Sequence, residues 1–306
     1  MQFDPHPPVI NVQTMSFPTI FELHDIFFDE TKCSQYLQAH GAFYSTRECE
    51  ACSDRMSYVA SKQCFRCPKS HCRKEISLRK NSFFDELRLP MSHIMLLGYL
   101  WLNKSAIAAT QSISGKSNNT IRNMNDYFRQ AVASTLEEMD TTIGGIGVIV
   151  ELDETKLGKR KYNRGHRVDG VWILGGVERT PERRAFMVPV QDRSAETLQS
   201  IICQHVRPGS VVHTDLWRGY FGLDSHNGYV HRTVNHSLHF VDPMTSVHTN
   251  TIEGTWHGLK ICIAPRNRGW DGIEDRLFEF IWRRKHSMAL WGASMKAICD
   301  IHYEIE

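Results

Sequence analysis

Four groups of side chains in this sequence have the types and spacing to do chemistry. The densest is a run of cysteines: five of the nine, Cys49, Cys52, Cys64, Cys67 and Cys72, stand close together. Cys49-Glu-Ala-Cys52 is a C-x2-C knuckle, whose two thiolates can reach one tetrahedral Zn²⁺ ion. The second pair is open on spacing alone. Cys64-Phe-Arg-Cys67 repeats the knuckle, Cys67-Pro-Lys-Ser-His-Cys72 offers a C-x4-C, and His71 is a further donor. A closed site of this kind contributes folding free energy and leaves no position for a substrate. The other four cysteines are scattered, as small buried hydrophobes in a reducing compartment would be.

The second group is three carboxylates. Asp153 follows the apolar run Val148–Leu152, Asp215 stands in the same relation to Val211–His213, and Glu253 falls in the first turns of a helix expected after Thr251. Acids converging from two strands and a helix can hold two Mg²⁺ (or Mn²⁺) ions ~4 Å apart, the arrangement that activates an attacking oxygen and stabilises a leaving one at phosphorus. The third group is basic: Lys156, Lys159, Arg160, Lys161, Arg164 and Arg167 follow Asp153 with no acid among them. The fourth is the polar face of a helix capped by Ser117, carrying Asn118, Asn119, Arg122 and Asn123. Asn and Arg pair bidentately with base edges in the major groove, so a preceding helix and a turn at Gly115 make this a helix-turn-helix-like segment.

The elements that must position these groups can be read from periodicity. Residues 17–41 suggest one or two amphipathic helices, and 47–80 a small metal-stapled module. Residues 90–140 are helical, with Ile94, Leu97 and Trp101 sharing a face of the first helix and Ile121, Met124 and Phe128 a face of the third. Gly144-Gly145-Ile146-Gly147 is the expected boundary of a second domain. Beyond it Val148–Leu152, Val171–Val177 and Ala185–Val190 suggest an antiparallel meander. A helix capped by Ser194, strands at Val211–His213 and Tyr229–Thr233, a helix at Thr251–Ile261 and a long helix at Gly272–Trp291 complete an α/β layer pattern. The segments become 1–46, an N-terminal helical segment; 47–89, a zinc ribbon; 90–143, a DNA-binding helical segment; 144–290, the catalytic domain; and 291–306, a C-terminal tail.

Composition narrows the classes. The chain has 306 residues, 41% hydrophobic, with a formal net charge of +2, which is too apolar and too near neutral for disorder. The longest nearly apolar run, Met95–Leu102, is far short of the ~20 residues of a spanning helix. MQFDPHPPVI lacks the basic start and apolar stretch of a signal peptide, so the expectation is a protein that is not secreted. Charge is uneven beneath the total. Residues 61–80 hold seven basic side chains against Glu75, and a local excess of that kind suits an anionic partner touched at defined places.

The motifs together resemble a known family. "ELDETKLGKRKYNRGHRVDGVWILGGVER" (151–179), "VHTDLWRGY" (212–220), "VNHSLHFVDP" (234–243) and "HTNTIEGTWHGLK" (248–260), with "CRKEISLRKNSFFDELRLP" (72–90) upstream, look like Merlin-superfamily DDE transposases, which include the bacterial ISXO-type insertion sequences. The resemblance runs over roughly residues 17–290 and rests on several motifs in order. It implies a ribonuclease-H-like mixed sheet flanked by helices, with Asp153, Asp215 and Glu253 as a metal-binding DDE triad. Some bacterial relatives carry Asn or His in place of the third acid, which makes Asn250 and His248 candidate helpers; of the other acids in these motifs, Glu154 reads as a supporting group and Asp242, before Pro243, as a turn former. Because the family tends to carry an aromatic where this chain has Cys64, it implies Cys49, Cys52, Cys67 and Cys72 as the zinc ligands.

Under this resemblance Lys159, Arg160, Lys161 and Arg164 would grip phosphates beside the scissile bond, and Asn119 and Arg122 would contact bases. Trp217 and Trp256 would pack beside their acids. The expected activity is metal-dependent DNA strand cleavage and strand transfer on double-stranded DNA, in a homo-oligomer that synapses element ends, with no membrane and no small-molecule substrate. The expected location is the nucleus in a eukaryote, or otherwise the cytoplasm with the nucleoid. The rival reading is a domesticated sequence-specific DNA-binding protein of transposase origin; a nuclease that cuts without joining is a third.

Overall fold

The structure is a computed structural model that describes residues 17–158, 170–225, 227–238 and 240–303. Along the chain come helices α1 (His24–Phe28) and α2 (Glu30–Ala39), then strands β1 (Ser57–Val59), β2 (Cys64–Arg66) and β3 (Glu75–Ser77). Three helices follow: α3 (Met91–Leu102), α4 (Ile107–Ser114) and α5 (Asn118–Ala133). Next are α6 (Glu138–Thr141), β4 (Ile143–Gly144), β5 (Ile149–Lys156), β6 (Trp172–Glu178), β7 (Ala185–Val190) and α7 (Ala195–His205). Then come β8 (Val206–Arg207), β9 (Val211–Asp215), β10 (Val230–Val234), α8 (Asn250–Cys262), α9 (Ile273–Lys285) and α10 (Leu290–Cys299). They form two compact units, one reaching Ser134 and resuming at His286, the other running from Thr135 to Lys285.

The first unit is built around α3. Its sequence is apolar all round and ten of its residues are buried, so the single stripe of Ile94, Leu97 and Trp101 understates how deeply it sits. Gly98 lets Phe128 of α5 close to within 3.2 Å of where a Cβ would stand. The α3 N-cap is Pro90, which makes no side-chain cap bond. Glu30 takes that role from α2, accepting from Met91 N and Ser92 N at 2.9 Å each while Arg79 holds it at 3.0 Å. The segment 291–306, expected as a tail, instead contains most of α10, whose Trp291 meets Tyr99 and Phe27 edge-on. The expected single helix Gly272–Trp291 is therefore two. Three basic residues, Arg283, Arg284 and Lys285, close α9, a stop that suits the helix dipole, and Ala289 leaves the helical region before α10.

The second unit is a five-stranded sheet between helices, in the order β10-β9-β5-β6-β7. β5, β6 and β7 are antiparallel neighbours, while β9 runs parallel to β5 and β10 parallel to β9. The period of two sorts each strand onto two faces. Val150, Leu152, Leu174, Phe186 and Val212 pack with Leu198 and Ile202 of α7. Ile173, Val177, Ala185 and Met187 pack with Trp256 and Leu259 of α8 and Leu277 and Ile281 of α9. The Gly144–Gly147 stretch lies inside this unit rather than at its edge. Gly144 has φ +83°, a conformation that permits its close approach to Ser210, and α6 and β4 already belong to the same unit.

One polar group breaks the apolar pattern on the α8 face. Glu151 of β5 is completely buried. Its carboxylate accepts from Thr251 N at 2.8 Å, Thr251 Oγ1 at 2.9 Å and Ile252 N at 3.0 Å, the open donors of the first turn of α8. Arg179 pairs with the same carboxylate and donates to the His248 carbonyl at 2.7 Å, and His248 Nδ1 lies 3.3 Å away. A buried, charged cap of this kind fixes both the position and the rotation of α8. Glu151→Ala removes the carboxylate partner of Arg179 and leaves two amides unpaired in the interior, and should lower unfolding free energy by about 3–5 kcal/mol, with Glu151→Gln losing less. Urea unfolding of the two variants checks this.

Candidate active site and metal centre

The ribbon brings four of its five thiols together. Among the described residues, Cys49, Cys52, Cys67 and Cys72 are the set of ligand atoms that all lie within 4.8 Å of one another. Cys49 and Cys72 Sγ are 3.5 Å apart, as are Cys52 and Cys67 Sγ. A tetrahedral zinc thiolate with bonds of ~2.3 Å needs sulfurs ~3.8 Å apart, so these four fit a structural metal and are compatible with zinc. Cys64 lies outside the set, in β2 opposite Val59 and Ser77. Two matching turns build the site: Ser53 and Arg73, each following the second cysteine of its pair, have φ of +54° and +50°. Their amides return to the Cys49 and Lys69 carbonyls, and the Ala51 amide holds the Cys49 thiol down, to about 7.

The ribbon's basic excess is largely offset within its own unit. Lys62 and Arg66 meet Glu75, Lys69 meets Asp54, Lys74 meets Glu50, Arg79 meets Glu30 and Lys80 meets Asp85. Apart from the partly buried Arg79–Glu30 pair, such pairs add little stability, but they occupy cations that the sequence presented as a single-sign surface. Asn119 and Arg122 are both exposed on α5, one turn apart and opposite the buried Ile121, Met124 and Phe128. Gly115, at φ +65°, makes the turn from α4, and Ser117 Oγ accepts from Thr120 N as the cap.

In the sheet, Asp153 is not past the end of its strand, as the apolar run suggested, but inside β5. What ends is the pairing on one side. β5 and β9 are laddered only to Glu151 and His213, whereas β5 and β6 remain paired to Lys156. Two residues beyond that last parallel pair stand Asp153 and Asp215, on the α8 face by the period of two. Opposite Asp153 is Gly175, where a Cβ would run into the Trp256 ring. That vacancy lets the indole lie across the sheet, and its Nε1 donates to Asp153 Oδ2 at 3.0 Å. Trp217 N donates to Asp215 Oδ1 at 2.8 Å, so Asp215 is held by the tryptophan of its own motif, whereas Asp153 is held by Trp256 from the motif of Glu253.

Glu253, half exposed in the first turn of α8, completes the acidic group. Thr249 Oγ1 donates to its Oε1 at 3.4 Å, His236 Nε2 meets Thr249 Oγ1 at 2.8 Å, and His236 lies 3.8 Å from the Glu253 carboxylate. Burial pushes the Asp153 carboxyl up to about 6, and the charges of Asp215 and Glu253 push it the same way. Burial also pushes Glu154, on the opposite face, up to about 7; Asp153 and Asp215 add to this, while Tyr220 and Arg193 oppose it.

The His248 ring turns to Glu151, and Asp242 is a turn former whose carboxylate accepts from Met244 N and Thr245 N at 2.9 Å each. Lys159, Arg160, Lys161 and Arg164 lie outside the described residues, between Gly158 and Gly170. Two residues were missed by the sequence reading. Glu151 belongs to no acid pattern of its own, though a lone acid inside the apolar run Val148–Leu152 is a signal that it has a buried partner. His213 occupies the same face, and burial pushes its imidazole down to about 4, so it is neutral at pH 7.

Two outcomes follow. Purified chain should carry one zinc ion, retained in Cys64→Ser and lost in Cys67→Ser, as elemental analysis would show; loss of zinc from Cys64→Ser instead would refute the ligand set. The second concerns pH. The Asp153 carboxyl rises from 3.8 to about 6 on folding, so the folded chain binds the extra proton between these values. The penalty for ionising it is absent below pH ~4 and complete above pH ~6, where it amounts to roughly 2–3 kcal/mol. Asp153→Asn should therefore raise the urea midpoint in Mg²⁺-free buffer near neutral pH and leave it unchanged in acid.

Comparison with known proteins bears on the second unit. Residues 143–268, the stretch from β4 through α8 that holds all three acids, match the ISXO2-like transposase domain. The chain is also 34% identical over 109 residues to an uncharacterized transposase-like protein of Haemophilus influenzae, an alignment covering 34% of this chain and 83% of that protein. Similarity at that level over most of the relative's length indicates common descent, and the chain belongs to the ISXO2-like transposase family.

Proposed function

We propose that this chain is a DNA transposase that cuts strands at the ends of a mobile element and joins the freed 3′-hydroxyl to target DNA. The observation that carries the reading is the placement of the acids: Asp153 and Asp215 stand on one face just past the last β5–β9 pair, and Glu253 in the first turn of α8 is near enough for its charge to act on Asp153. Three hard oxygen donors with excess negative charge suit Mg²⁺ or Mn²⁺. When bound, two such ions would activate the attacking oxygen and offset the charge that develops at phosphorus. The chain's own residues hold the donors in place: Trp256 fixes Asp153, Trp217 fixes Asp215, and Glu151 fixes the helix that carries Glu253.

The reading of the second unit as a ribonuclease-H-like DDE core of the Merlin superfamily is supported by the strand order, with two acids on neighbouring parallel strands and the third on the helix after the edge strand, and by the motifs that carry the resemblance. Water would attack in line to release a 3′-hydroxyl, which would then attack the target phosphodiester with no covalent enzyme intermediate. Asn119 and Arg122 of α5 would read the major groove, and Lys159, Arg160, Lys161 and Arg164 would hold phosphates beside the cut. The zinc ribbon would be structural. Pairing two element ends would need at least two copies of the chain, in the nucleus or at the nucleoid according to the host.

Asp153→Asn, Asp215→Asn and Glu253→Gln should each lower Mg²⁺-dependent cleavage by about 10³-fold or more without loss of DNA binding. Gel analysis with end-containing duplexes, intact and pre-nicked, reads both steps. Undiminished cleavage by Asp153→Asn would refute the site. Tight specific binding without cleavage by the wild type would favour a domesticated DNA-binding protein, and cleavage without joined products a nuclease.

A further inference from the structure

On the α7 face of the sheet, at the same edge as the acids, one arginine is held in an unusual way. Arg193, just before α7, has its guanidinium 3.9 Å from the Trp172 ring centre and 4.7 Å from that of Trp217. Both indoles pack on the α7-side core, so the cation is gripped by two anchored faces. Among the described residues no carboxylate or carbonyl accepts from it, and the adjacent Asp192 carboxylate is taken by Ser194 N at 2.8 Å. Stacking uses the faces of a guanidinium and leaves its edge of N–H donors open, the geometry that recognises a phosphate bidentately. Two more cations extend the row. Lys156 lies 5.5 Å over Trp172, and Arg218 lies 5.8 Å over Trp217.

The row is tied to the acids. Trp217, one wall of the clamp, donates its backbone N–H to Asp215, and the Arg193 charge acts on Glu154, the neighbour of Asp153 in β5. The geometry points to Lys156, Arg193 and Arg218, braced by Trp172 and Trp217, as a track for the sugar-phosphate backbone of DNA, with Arg193 taking a phosphate of the strand that flanks the cut. This rests on the reading of the acids as a DNA-cutting site. The track lies on the opposite face of β5 from Asp153, so it holds the strand flanking the reacting phosphate rather than that phosphate itself. Because it meets phosphates and not base edges, it is indifferent to sequence.

Fluorescence anisotropy with a labelled duplex of arbitrary sequence, in Mg²⁺-free buffer across a salt series, tests the track without cleavage. Arg193→Ala should bind about tenfold more weakly, with the slope of log affinity against log salt reduced by about one. Arg193→Lys, which keeps the charge but not the flat stacked fork, should keep the slope and lose part of the affinity. Wild-type affinity and slope in Arg193→Ala would overturn the track and leave Arg193 a fold staple. If that variant does not fold, Arg193→Lys decides: weaker binding by a folded protein supports the track, and unchanged binding overturns it. A wild-type chain that binds through Arg193 but never cuts would refute the catalytic reading alone, whereas one that cuts while Arg193→Ala binds normally would refute the track alone.

Discussion

The buried carboxylate of Glu151 is the interaction on which the site depends. A charge taken out of water is tolerated only where donors surround it, and here they come from one arginine and the opening turn of α8. Because Glu151 and Asp153 are two residues apart on one strand, they share a face, and the helix capped by the first must pass over the second. That constraint delivers Trp256 to Asp153 and sets Glu253 near the acids. Gly175 is the matching concession, a position emptied so that the indole can lie down.

The same device is used in the other unit. Glu30, held by Arg79, caps α3 where Pro90 offers no cap of its own. In both units an acid distant in sequence closes a helix start and an arginine balances its charge. Pairing of this sort specifies a position more sharply than apolar packing, which tolerates sliding. It also explains how a near-neutral chain can be rich in charge: many of its ions are spent on one another, as in the ribbon. The cations around Arg193 are instead held by aromatic faces, which leave their donors open.

Much of the second unit was legible because its strands are short apolar runs with a period of two. Ser117 and Ser194 marked helix starts through the backbone amides they accept, and the cysteine knuckles announced a metal site. What the sequence hid was long-range. Nothing local says that Glu151 will meet residue 251, that Gly175 exists for Trp256, or that Arg193 will find Trp172 of β6 and Trp217 just past β9. The division at Ser134 was also obscured, because the glycines at 144–147 look like a linker while serving as a tight turn. The last helix was misread for a related reason: α9 and α10 follow within a few residues, but only the basic close of α9 separates them locally.

The central claim is that Glu151-directed docking of α8 assembles Asp153, Asp215 and Glu253 into one divalent-cation site. Anomalous diffraction from crystals soaked in Mn²⁺ tests it most directly. The account predicts manganese between the Asp153 and Asp215 carboxylates with Glu253 turned in to share it, and loss of that density in Glu151→Ala. Manganese held elsewhere, or density at the aspartates that is indifferent to Glu151, would contradict it.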